Sequence, residues 1–180
     1  MSAFYEFEDV DAFTTGAIGQ PGSRVFFLQA RHGRRRVAVK CEKQQVSAIA
    51  QYLRRVLSDL PPPDDRPVAG SLELIEPVEE VFVLGPIGLG YDRSTDRLVV
   101  QLEELGSEAE SDEDYDPELG ADFEDEPSDS ADGHIRIYVT RGQATSFCDR
   151  AEQVVAAGRP ECRWCGHPID PDGHPCPRMN

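Results

Sequence analysis

Apolar and polar positions alternate with period two in several short runs and fall at helical spacing in two longer ones. "FYEFEDV" (4–10) reads as a short first strand. "RVFFLQARHGRRRVAVKC" (24–41) holds two β-prone runs around a turn near His32-Gly33, the pattern of a hairpin. From Lys43 to Leu60 the apolar residues Val46, Ile49, Ala50, Leu53, Val56 and Leu57 form one helical stripe. "PPPDDRP" (61–67) stops that helix and makes a stiff connector. Strands resume at 78–92 and 97–105 around a turn at Ser94-Thr95-Asp96, and again at "HIRIYVT" (134–140). A second helix is predicted from Arg141 to Ala157, with Gly158 ending it and Pro160 preventing its return.

The two strand-helix units share a register. The second helix carries Ala144, Phe147, Cys148, Ala151, Val154 and Val155, each 98 residues after a stripe position of the first. The same shift carries Val37, Val39 and Cys41 onto Ile135, Ile137 and Val139, and Gln45 onto Gln143. This predicts an internal pseudo-repeat, about three strands and then a helix, twice. The expected fold is therefore α+β: antiparallel sheet or sheets with both helices covering the core face. The domain spans 1–158, with halves 1–60 and 71–158, followed by a tail at 159–180.

"TTGAIGQPGS" (14–23), with three glycines, reads as a loop. It lacks the Gly-Lys-Ser/Thr of a phosphate-binding loop, and a strand rather than a helix follows it.

Charge changes the picture in one place. The net charge is −16, yet fifteen Asp and Glu and no Lys or Arg lie between Glu103 and Asp132. The remainder holds 19 acidic against 18 basic residues and is nearly neutral. The acidity thus does not exclude an anionic partner for the body. Residues 106–132, highly charged with few aliphatic side chains, are expected to be a disordered insert between two strands that can pair directly. No apolar run is long enough to span a bilayer. "MSAFYEFEDV" lacks the basic-then-apolar plan of a signal peptide, so the expected location is cytoplasmic.

The chemistry is concentrated at the end of the chain. "CRWCGHPIDPDGHPCPRMN" (162–180) holds three of the five cysteines and two of the four histidines. Cys162-x2-Cys165 followed by Gly166 has the form of a zinc knuckle, in which backbone N–H groups bond the first thiolate. The turn at Pro171-Asp172-Gly173 then returns His174 and Cys176. The predicted ligands of Zn2+ are Cys162, Cys165, His174 and Cys176, with His167 as the competing histidine, expected to point outward. Arg163 and Arg178 are placed to offset the surplus negative charge of three thiolates. With all four positions filled by protein, the zinc would be structural, and its binding energy, on the order of 10 kcal/mol, would fold a tail too short to bury a core.

The same run, with "FLQAR" (27–31), resembles an uncharacterised family of conserved actinobacterial proteins carrying a domain of unknown function. The resemblance covers the chain outside the acidic tract. The family pattern, Cys-x2-Cys-Gly-x-Pro-x-Asp-Pro-x-Gly-His-x-Cys-Pro-Arg, implies His174 rather than His167, because residue 167 falls on a variable position. It implies no activity.

"RHGRRR" (31–36) places Arg31, Arg34, Arg35 and Arg36 at a hairpin tip, a candidate anion contact such as nucleic-acid phosphate, or a solvated turn that guards the sheet against edge pairing. No Ser-His-Asp arrangement stands out, Cys41 and Cys148 fall on apolar faces, and no small-molecule cofactor motif is evident. The expected function is a non-catalytic binding or adaptor module with structural zinc, its favoured partner nucleic acid or a ribonucleoprotein; the alternative is a protein-protein scaffold using the sheet edge or acidic tract. A hydrolase or nuclease is the remaining alternative.

Overall fold

The computed structural model describes residues 4–106, 133–169 and 173–178. The chain runs β1 (Phe4–Phe7), β2 (Ala12–Ile18), β3 (Val25–His32), β4 (Arg35–Cys41) and α1 (Lys43–Ser58). A 3-10 turn (Ala69–Leu72) leads to β5 (Glu80–Asp92), β6 (Arg97–Glu104), β7 (His134–Val139) and α2 (Arg141–Ala156). The expected insert falls almost wholly on residues 107–132, outside the described residues.

All seven strands form one sheet in the order β1-β7-β6-β5-β4-β3-β2. The expected antiparallel arrangement is corrected: the sheet is mixed, because β4 pairs β5 and β1 pairs β7 in parallel. The physical reason for the first is the connection. β4 leaves the sheet into α1, and a crossover through a helix returns the next strand in the same direction. β5 is divided, pairing β4 in parallel near Glu80 and β6 in antiparallel from Leu84 to Asp92.

The sheet cannot be flat. β1 and β2 lie at its opposite edges, about 29 Å apart if six gaps of ~4.8 Å were laid in a plane. Yet only residues 8–11 join them, and five peptide steps reach at most about 18 Å. The sheet therefore curls until its edges approach. The inward side chains of every strand from β2 to β7 then meet in one core with the stripes of both helices, Phe13 of β2 stacking on Phe147 of α2 at 4.5 Å.

The helices begin alike. Gln45 and Gln143 each occupy the third helical position, and each side-chain carbonyl accepts from the backbone N–H of the residue before the helix, Glu42 or Thr140. Their amide groups then reach across. Gln45 donates to the Leu84 carbonyl at 3.1 Å, and Gln143 to the Val10 carbonyl at 2.5 Å. Leu84 lies 74 residues after Val10. One pair in each parallel pairing keeps the same spacing: Glu6 stands opposite Arg136 and Glu80 opposite Ala38, so that Glu80 is 74 after Glu6 while Arg136 is 98 after Ala38; the next β4–β5 pair, Lys40 with Val83, is displaced by one residue at a register shift.

The predicted loop at 14–23 is in part strand: residues up to Ile18 belong to β2, and only the turn between β2 and β3 is loop. Its Gly-Thr character reflects burial from both sides. On the outer side the chain after α1 passes across β2, β3 and β4. Thr14 donates to the Leu72 carbonyl, and Gly16 lies so close beneath Leu74 that a Cβ would stand 2.6 Å from it. Buried Gln29 bonds both backbone groups of Ile75, accepting from its N–H at 3.0 Å and donating to its carbonyl at 3.2 Å.

Candidate metal centre

Beyond α2 the chain makes a small hairpin. Glu161 bridges Pro168, and Ile169 N–H donates to the Pro160 carbonyl at 2.7 Å. At its tip Cys162 N–H donates to the His167 carbonyl and Gly166 N–H to the Cys162 carbonyl, both at 2.8 Å. Gly166 has φ +74°, left-handed backbone that favours a residue without Cβ. The Trp164 backbone N–H, aided by that of Cys165 and opposed by desolvation, holds the Cys162 thiol below its ordinary range. A thiolate stabilised this way is the form that binds metal.

The predicted turn at 171–173 lies outside the described residues except for Gly173, whose φ is +90°. Beyond it His174 and Cys176 return to the knuckle. One donor atom from each of Cys162, Cys165, His174 and Cys176 lies within 4.8 Å of all the others. The Cys162 and Cys176 sulfurs are 3.8 Å apart. Tetrahedral zinc with Zn–S near 2.3 Å sets two sulfurs about 3.8 Å apart. Cys165 Sγ and His174 Nε2 are 3.2 Å apart. The residues therefore fit a zinc ion in size, donor type and number. Cys162 and Cys176 are buried and the other two half-buried, while His167 is exposed and outside the group. Arg163 lies over the ring of Trp164, 5.9 Å from its centroid, and that indole is 56% exposed.

The arginine tip is differently disposed. Arg31 donates to the Ser71 carbonyl and Arg36 to the Pro77 carbonyl at 3.3 Å. Arg35 lies 4.9 Å over the ring of Phe7. Arg34 is exposed and makes no hydrogen bond or ion pair with a described residue. Three of the four side chains thus hold the tip to the segment before β5 and to β1, which sequence reasoning did not foresee. The remaining cysteines are also structural: burial foremost pushes Cys41 and Cys148 up to about 12, leaving both as inert thiols.

The chain matches the family described as "Protein of unknown function (DUF3090)" over residues 5–176. It belongs to that family. The DUF3090 match includes the whole sheet except its first residue, both helices and all four metal-ligand candidates. No curated protein and no solved structure matches the chain. No helix among the described residues is long and apolar enough to cross a membrane.

Proposed function

We propose that the protein is a non-catalytic cytoplasmic binding module whose tail is folded by one structural zinc ion. The observation that carries this reading is the convergence of four protein donors, Cys162, Cys165, His174 and Cys176. Four protein ligands leave a tetrahedral ion no open position for water or substrate, the arrangement of a structural rather than a catalytic site. When bound, zinc supplies the cross-link that replaces a core in this short tail.

The partner is better read as a protein than as nucleic acid. Arg31, Arg35 and Arg36 are engaged within the molecule, which leaves Arg34 as the one arginine of the hairpin tip turned to other use. Titrating the zinc-loaded chain with single-stranded RNA at low and physiological salt tests the choice. Tight binding that weakens steeply with salt would favour the nucleic-acid reading; none at either salt supports a protein partner.

The body is read as two copies of one unit, β1–β2–β3–β4–α1 and β5–β6–β7–α2, with β1 and β2 together equivalent to the divided strand β5. The matched spacings of 74 and 98 residues support this, as does the reciprocal reach of Gln45 into the second unit and Gln143 into the first.

A further inference from the structure

We draw no further inference here: the strongest candidate, the exposed apolar patch of Val83 in β5 and Leu105 just beyond β6, where the Leu105 N–H donates to the Val83 carbonyl, carries nothing because nothing among the described residues shows what covers it.

Discussion

The Cys148 thiol of α2 donates to the Ala50 carbonyl of α1 at 3.4 Å, and the two residues are 98 apart in sequence. Each is therefore the other's counterpart in the proposed repeat. Two copies related by a two-fold axis touch through equivalent residues only where that axis passes. Arg54 and Glu152, also 98 apart, meet at 2.6 Å near the same crossing.

The glutamines that open the helices should then matter equally. Gln45→Ala and Gln143→Ala each remove a bond to the residue before the helix and a bond to the opposite unit. Each is expected to lower stability by about 1–3 kcal/mol in denaturant unfolding. A large loss for one with none for the other would show that the two junctions are not equivalent.

Gly142, in the first turn of α2, lies directly beneath the Asp65 carbonyl, where a Cβ would overlap that backbone oxygen. Backbone on both sides leaves little room to yield. Gly142→Ala should cost ~1–3 kcal/mol. Gly70→Ala, with open space around it, should change stability by less than about 0.5 kcal/mol. Thermal melts of the two variants side by side check the difference.

Burial raises the pKa values of Cys41 and Cys148 to about 12, above the ordinary 9.0. A raised value in the folded state means that the proton is held more tightly there than in the unfolded chain. That contribution is intact below about pH 9 and is lost as pH rises toward 12. Urea unfolding at pH 8 and pH 10.5 should show the chain weaker at the higher pH, and the double variant Cys41→Ala, Cys148→Ala should show a smaller difference. A thiol reagent added to metal-stripped native protein should modify Cys162, Cys165 and Cys176 rapidly, and the two core thiols only on unfolding.

The sequence showed most clearly what is local. The two helices follow from stripes such as Val46, Ile49 and Leu53, and the structure ends each within two residues of the expected position. The four residues that converge at the tail are the four that spacing singled out, because Cys162-x2-Cys165 and His174-x-Cys176 are short-range patterns around turns. β2 was concealed: "TTGAI" lacks apolar alternation, and its burial depends on Leu72 and Leu74, nearly sixty residues away. The parallel pairings of β1 with β7 and β4 with β5 were equally illegible, since each joins segments that no local pattern relates. Gln29 in "VFFLQARH" acquires meaning only once Ile75 is seen against it.

Metal analysis of freshly purified chain, repeated on His174→Ala and His167→Ala, tests the central claim most directly. The zinc site predicts one equivalent of zinc per chain. It also predicts retention against a chelator that falls about tenfold or more in His174→Ala and is unchanged in His167→Ala, because only His174 brings a ring nitrogen to the cysteines. A chain that purifies without zinc and folds its tail regardless, or zinc held equally by both variants, would contradict it.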